Sequence, residues 1–561
     1  MSGPSRAPVT GIDVCIVGAG PAGSLVANRL ARAGHDVAVL EAGERFDFEE
    51  RPTRMERFLR PGHPRVSVWD MDDERDAFTS SGDVSYPLNR KRAKGVGGST
   101  LHWGGRVSRL PPKDFEMETR YGVGNDWPIG YDDLRPYYVT AERELGVAGA
   151  DDNPFFPARE QPYPMEAFPP SHSDSMFIDA CETLGIEVHS VPNARNSEPY
   201  DGRSPCVGYG TCAPVCPSGA KYSADVHARR AEEAGARIID RAVVRRLEHD
   251  TSGERLTAAV YRTPDGSVHR QTARHFVLAA GAVENPRLLL LSASGAHPDG
   301  LANSSDAVGR YFMEHPYVGV VGEVDEPTGQ HRIGFGTTES YQFYTPDDPP
   351  PGSFKLEFSN EAGPRVVDLV LRQRAPVDGL NRTLTAPDVS SVANLADQDR
   401  PIAWGDGLLE EMREAYGRSF KIMAEIEPLP RPDNRVTLND GRTDEFGDPV
   451  PDVAWSPGRY VERTIERAFE MIEEVVGALD ADVSRTERVR FMDGAGHSSG
   501  TTRMGTDPDE SVVDPNLRAH DVSNLYIAGA STFPTIGASQ PTLTIAATAL
   551  RLADHLDRDV L

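Results

Sequence analysis

IDVCIVGAGPAGSLVANRLARAGHDVAVLEAG occupies residues 12–43. An apolar run, Val14 to Val17, enters a glycine turn at Gly18, Gly20 and Gly23. The pattern then predicts a helix over Ser24–Ala33 and a second apolar strand, His35–Leu40, ending at Glu41. A GxGxxG triplet alone is a weak signal. Flanked by strand and helix, with an acid about 20 residues on, it becomes specific for a dinucleotide site. The glycines let the backbone approach a pyrophosphate at the helix N-terminus, where the dipole favours negative charge. Glu41 can accept hydrogen bonds from ribose hydroxyls and would repel a 2′-phosphate, which argues against NADP.

Two further glycine-rich stretches belong with this one. KGVGGSTLHWGGR runs from Lys94 to Arg106, and LYIAGASTFPTIGASQPTLTIAATALRLADHL from Leu525 to Leu556. The second reads as strand, turn and a helix entered at Pro541, where the missing N–H falls in the first helical turn. A segment that completes a nucleotide site from the far end of the chain implies one large α/β, Rossmann-like domain with other sequence inserted. We expect residues 1–316 and 491–561 to build it, and 317–490 to form a mostly antiparallel sheet with helices on one side. FKIMAEIEPLPRPDNRVTLN (420–439) reads as returning strands of that insert, and the polar, Pro-rich stretch 330–352 as a lid.

Composition narrows the class. With 86 acidic against 59 basic residues the formal charge is −27, which disfavours nucleic acid and anionic lipid as partners. Only six of the bases are lysine: 91, 94, 113, 221, 355 and 421. An acidic, lysine-poor surface suits concentrated salt, where carboxylate repulsion is screened; a GC-rich genome favouring Arg codons would give the same bias. No apolar run reaches the length of a spanning helix, and MSGPSRAPVT lacks a signal-peptide pattern, so we expect a soluble, cytoplasmic protein that is exported or meets a membrane only through a partner.

Five blocks together resemble the glucose–methanol–choline (GMC) family of FAD oxidoreductases: 12–43, 94–115, 203–225, 276–316 and 491–556. They include VLAAGAVENPRLLLLS (277–292), VGRYFMEHP (308–316) and GAGHSSGTTRMGT (494–506). The resemblance implies an FAD site drawing on Gly18, Gly20, Gly23, Glu41, Gly97, Gly98, Ser99, His102, Val244, Gly281, Gly529, Ala530, Pro541 and Thr542. Within the family the chain is similar to the dehydrogenase branch of gluconate 2-dehydrogenase, fructose dehydrogenase and bacterial FAD-dependent glucose dehydrogenase. The usual Asn of the flavin segment is replaced by Trp103, and the pair His102-Trp103 is similar to the flavin-linking segment of pyranose oxidase. A covalent link through His102 and a His packed on a non-covalent flavin are both open readings.

Three of the five cysteines crowd into CVGYGTCAPVCPSGAK, at Cys206, Cys212 and Cys216. Glycines permit the turns that let three thiolates converge. A zinc site, one disulfide with a spare thiol, and free thiols are the other readings of this loop. Its C-x5-C-x3-C-P-x-G-A spacing resembles a segment that holds a [3Fe–4S] cluster in that branch, and a Cys-x3-Cys-Pro ending also occurs in ferredoxin loops. Cys15 and Cys181 read as buried packing residues.

The resemblance implies oxidation of an alcohol carbon, with the hydroxyl proton going to a base and hydride to flavin N5. His497 stands at the family's base position, and an imidazole suits that task. The second position, usually His or Asn, holds Gln540, which cannot act as a base but can hydrogen-bond a substrate oxygen. A sugar, sugar acid or polyol dehydrogenase follows, its electrons leaving through the cluster to an external acceptor, with a small subunit and a cytochrome as candidate partners. The alternatives are an oxidase reducing O₂ to H₂O₂ and a non-redox flavoprotein or lyase on the same fold.

The charge balance generates a first prediction. The thermal midpoint rises markedly between about 0.1 M and molar NaCl as screening relieves surface repulsion. A midpoint that stays flat or falls in a salt titration by differential scanning fluorimetry removes the high-salt reading.

Overall fold

The computed structural model describes residues 6–59, 67–325, 327–328, 336–345, 352–359, 405–415, 417–492 and 494–561. Its first layer is a parallel sheet whose strands come from both ends of the chain. Among the described residues the order is Leu525–Ile527, His275–Leu278, Val14–Val17, Val37–Leu40 and Arg237–Ile239. The central strand is buried along its whole length, as a near-continuous apolar run in a parallel sheet should be. The helix after the first turn spans Pro21–Ala33, three residues earlier than the pattern predicted, because Pro21 serves as its first residue. Gly34, at φ +99°, closes it by donating its N–H to Leu30 and Ala31 carbonyls. Leu25, Val26 and Leu30 are fully buried on this helix, and each contributes about 1.5–3 kcal/mol of apolar burial.

The turn itself depends on glycine at two places. Gly18 has φ +102°, and a Cβ there would lie 2.6 Å from Ala279 O. At Gly23 a Cβ would lie 2.0 Å from Gly18 O, so this residue lets the helix pack against the turn. The C-terminal helix, Thr542–His555, begins directly after Pro541 and packs against the first helix.

The second layer is an antiparallel sheet. Its described strands run in the order Val483–Phe491, Tyr317–Val324, Ser419–Ile426, Phe354–Phe358, Thr338–Ser340 and His189–Ser190. The last of these enters from well ahead of residue 317. Period-two alternation divides each strand between two faces. Phe420, Ile422, Ala424 and Ile426 join Phe354, Leu356 and Phe358 in an apolar core. The helix Gly458–Gly477 covers that core with Val461, Ile465, Phe469 and Ile472. On the opposite face stand Lys421, Met423, Glu425, Lys355 and Glu357, and these are buried too.

Within 420–439 the two expected returning strands part company. Ser419–Ile426 lies in the large sheet, whereas Arg435–Thr443 pairs with Pro449–Ala454 and, beyond it, Thr79–Ser81. Much of the stretch expected as a lid lies outside the described residues. Its described part differs from that expectation: Thr338–Ser340 is a buried strand, and Tyr341 and Tyr344 stack in the interior with ring centroids 4.9 Å apart. Their large rings bury more area than a polar reading of the loop allowed for. Among the described residues no helix is long and apolar enough to cross a membrane.

Candidate active site

One cavity is walled by the glycine turns on one side and by the charged face of the antiparallel sheet on the other. Gly18, Gly20, Glu41, Gly98, Ser99, His102, Val244, Gly281, Gly529, Ala530, Pro541 and Thr542 all line it. Gly23 and Gly97 do not. Gly23 packs helix on turn, and Gly97 donates its N–H to Ala19 O at 2.9 Å, holding the second glycine segment against the first. Glu41 is buried and receives the Ala19 N–H at 2.7 Å and the Gly43 N–H at 2.9 Å. Burial raises its carboxyl above the ordinary value, against the pull of backbone N–H groups and Lys94. Two glycines leave a cradle. A Cβ on Gly20 would find only Gly98 Cα, 4.0 Å away, and one on Gly281 nothing within 4 Å. An extended dinucleotide lying along these turns meets backbone and open space, so the residues present fit FAD.

At the other end Tyr317, Glu357, Lys421, Met423 and Phe491 come from the antiparallel sheet, and His497 and Gln540 stand between the two walls. His497 Nδ1 lies 2.9 Å from Glu425 Oε1 and 2.9 Å from His315 Nδ1. His315 Nδ1 is 3.0 Å from the same carboxylate oxygen, and its Nε2 donates to Gly537 O at 2.9 Å. Glu314 fixes both histidines from the backbone side: its Oε1 accepts the N–H of His315 at 3.0 Å and of His497 at 2.8 Å.

The sequence reading missed His315 and Glu425, and with them the ion cluster beneath. Lys355 lies directly across the strand pair from Glu425, and Glu339 across from Glu357. The second pairing sets like charges face to face, which is unfavourable unless a cation joins them. Lys355 is that cation. Its ammonium lies 2.8 Å from Glu357, 3.1 Å from Glu339 and 3.1 Å from Glu425, and Arg106 pairs with Glu357 from the flavin side. Lys355, Glu339 and Glu425 have no solvent exposure. Burial works against every charge here, yet the three carboxylates hold the Lys355 ammonium well above its ordinary range. Against the same burial, Lys355 and His315 hold Glu425 well below its own. Burial also opposes an imidazolium at His315, but Glu425 and Glu314 outweigh it and raise the group.

Gln540 is tied into this cluster. Its Nε2 donates to Glu357 Oε1 and Glu425 Oε2, both at 2.9 Å. Carboxylates only accept, so the amide orientation is fixed and both N–H bonds are committed. What remains for a bound molecule is Oε1, an acceptor, which is buried without a partner. A histidine at this position could not bridge two carboxylates through one N–H. The loop carrying Gln540 is held from below: Tyr344 OH accepts the Ala538 N–H at 2.9 Å, and Tyr341 OH pairs with Ser539 Oγ at 2.9 Å.

The cysteine loop sits behind the cavity wall. Cys212 and Cys216 are buried, Cys206 is half-buried, and all three are free thiols. Two buried cations adjoin them. Arg195 Nη1 lies 3.8 Å from Cys212 Sγ, and the Lys221 backbone N–H meets Cys216 Sγ at 3.4 Å. Burial raises the Cys216 thiol, but the Lys221 N–H, the Lys221 charge and the Ser218 hydroxyl together bring it below its ordinary value. Burial leaves Cys206 raised. Lys221 Nζ donates to Cys212 O at 2.6 Å and to Trp103 O at 2.7 Å, so a single side chain joins the loop to the turn that lines the cavity. Cys212 and Cys216, each beside a buried cationic residue, suit an anionic ligand. Cys15 and Cys181 are fully buried in apolar surroundings, as packing residues should be.

Family models place this geometry. The GMC oxidoreductase model matches residues 86–317 in its amino-terminal part and 430–549 in its carboxy-terminal part, and an FAD dependent oxidoreductase model matches 13–73. The chain belongs to the GMC oxidoreductase family. It is an FAD-dependent enzyme on a mixed α/β fold. It is 35% identical to the fructose dehydrogenase large subunit of Gluconobacter japonicus, across 98% of each chain. It is 29% identical to the 2-methyl-1,2-propanediol dehydrogenase of Mycolicibacterium austroafricanum, over 97% of this chain and 95% of that one. Among solved structures, the pyridoxine 4-oxidase of Mesorbium loti superposes with a TM-score of 0.64 at 19% identity, covering 97% of this chain and 99% of the other.

All six lysines lie among the described residues, and none is exposed. Lys113, Lys221, Lys355 and Lys421 are buried, and Lys91 and Lys94 half-buried. Scarcity of lysine was itself the available signal: in so lysine-poor a chain, FKLEF and FKIMAEI each spend one inside an apolar strand.

The cluster generates a stability prediction. Lys355→Met removes the cation common to three buried carboxylates and lowers unfolding free energy by about 3–5 kcal/mol. Denaturant titration of the FAD-loaded protein checks it. A loss below about 1 kcal/mol means that water reaches these carboxylates.

Proposed function

We propose that this protein is a dehydrogenase that oxidises a hydroxyl of a sugar, sugar acid or polyol and passes the electrons singly to an external acceptor. The observation that carries the reading is His497, in the cavity wall with Nδ1 taken up and Nε2 left for a substrate. FAD, when bound along the glycine turns, supplies the hydride acceptor. His497 takes the hydroxyl proton at Nε2, the task for which an imidazole is suited at neutral pH. Gln540 keeps its N–H bonds on Glu357 and Glu425 and offers Oε1, which suits a molecule bearing further hydroxyl donors. The walls 1–316 and 491–561 form the FAD-binding part, and 317–490 most of the substrate-binding part. His102 stands in the cavity wall as the residue through which a covalent link to the cofactor would run.

The names of the two relatives support this substrate class, since both are dehydrogenases of small hydroxylated compounds. Cys206, Cys212 and Cys216 would hold a [3Fe–4S] cluster, which supplies a one-electron acceptor when bound. Its place behind the turn carrying Trp103, through Lys221, suits an electron exit. The relative called a large subunit supports a small partner subunit here; a cytochrome would serve as the external acceptor.

Two experiments test the reading. His497→Ala slows anaerobic bleaching of the bound flavin by about 10²-fold or more while leaving FAD bound. Bleaching at the wild-type rate places the base elsewhere. Anaerobically purified protein contains about three irons per chain, and replacing any one of the three loop cysteines with Ser abolishes reduction of one-electron dyes. Stoichiometric zinc with no iron overturns the cluster.

A further inference from the structure

Three donor atoms converge where the antiparallel sheet meets the His497 segment, with too few hydrogens to join them. Glu425 Oε1 lies 3.0 Å from His315 Nδ1 and 2.9 Å from His497 Nδ1, and the two nitrogens lie 2.9 Å apart. His315 Nε2 meets the carbonyl oxygen of Gly537 at 2.9 Å and must donate there, so in the neutral ring its Nδ1 is a bare lone pair. Glu425 Oε1 is buried and has no hydrogen-bond partner. A hydrogen on either Nδ1 leaves the gap opposite it with lone pair against lone pair, and hydrogens on both would point at each other. A cation between the three atoms satisfies all of them. We propose that His315, His497 and Glu425 form a binding site for a divalent first-row transition-metal ion, and that an ion held there switches the enzyme off.

The spacing agrees with this. Around an ion with bonds of about 2.1 Å, neighbouring donors stand about 3.0 Å apart in an octahedron and about 3.4 Å apart in a tetrahedron. The edges here, 2.9, 2.9 and 3.0 Å, are those of one octahedral face. Two imidazoles and one carboxylate on a face suit borderline ions such as iron(II), cobalt, nickel and zinc, and leave the opposite positions to water. The imidazole planes stand 83° apart, so neither ring blocks the other. His497 lines the cavity and gives an ion its way in.

The surroundings are those of a metal site. A ligating histidine ordinarily donates its other ring N–H to a carbonyl or carboxylate, as His315 does to Gly537 O. The second oxygen of Glu425 is held by Lys355 and Gln540, which keeps Oε1 aimed at the two rings. Glu314, Glu339, Glu357 and Glu425 meet two permanent cations, Lys355 and Arg106, so a divalent ion brings the set to neutrality. In the ion-free enzyme a proton on one Nδ1 stands in for the ion and passes to water when the ion binds. Coordination through Nδ1 leaves the remaining ring hydrogen of His497 on Nε2, which then has no lone pair for a substrate proton. The inhibitory effect rests on the reading of His497 as the base; the site itself does not.

The test is zinc titration of the holoenzyme, followed by X-ray absorption at the zinc edge, where flavin and iron do not interfere. Zinc binds with nitrogen and oxygen ligands at about 2.1 Å, including imidazole, and any zinc on the cysteine loop is told apart by sulfur at about 2.3 Å. His315→Gln and the isosteric Glu425→Gln each weaken the imidazole-bound zinc by about 10²-fold or more. Zinc also slows anaerobic bleaching of the flavin by about 10-fold or more with the fastest of fructose, 2-methyl-1,2-propanediol and glycerol, and EDTA restores the rate. No bound zinc, zinc on thiolates only, or equal affinity in both variants overturns the site. Imidazole-bound zinc with undiminished bleaching leaves the site standing, overturns its inhibitory effect and removes His497 as the base.

Discussion

Taking one ammonium out of water costs several kcal/mol, and Lys355 meets that cost only because three carboxylates surround it within hydrogen-bond distance. The surrounding structure follows from that arrangement. Glu339 and Glu357 could not face each other across neighbouring strands without it, so strand register and ion geometry specify one another. Glu425, held ionised, supplies an anchor for His497, His315 and Gln540 together. The region where the antiparallel sheet meets the glycine turns is therefore set by electrostatics more than by apolar packing.

The flavin wall obeys a different constraint, the closeness of backbone to backbone. Gly18 touches the strand end at Ala279, and Gly98 approaches Gly20 so nearly that a Cβ on it would lie 2.8 Å from Gly20 Cα. Segments distant in the chain meet at contacts only glycine allows, and the last parallel strand joins from the far end. The segment carrying His497 and the Gln540 loop flank that strand in sequence, so closing the sheet also delivers them to the cavity.

Much of this was readable beforehand. The strand–turn–helix pattern of residues 12–43 has a single good physical interpretation, and the split Rossmann-like unit followed from its echo at the carboxy terminus. The antiparallel insert was also legible. Its charged face was not, since FKLEF and FKIMAEI alternate as an ordinary half-solvated strand would. Alternation tells which residues share a face and leaves open what that face meets. Here it meets the cavity, so Lys355, Glu357 and Glu425 read as surface when they are interior. His315 lay inside a quoted block, but only three dimensions bring it to His497. Gln540 was singled out as a departure, and the two carboxylates that give its amide a reason come from strands more than a hundred residues away.

The seclusion of the lysines bears on how the enzyme could be handled. Amine-directed chemistry, whether cross-linking for mass spectrometry, dye labelling or attachment to an electrode, would find no exposed lysine side chain to react with. Carboxylates are abundant by contrast, so carbodiimide coupling to an amine-bearing support is the accessible route. It would attach the protein in many orientations while leaving the interior ammonium of Lys355 untouched.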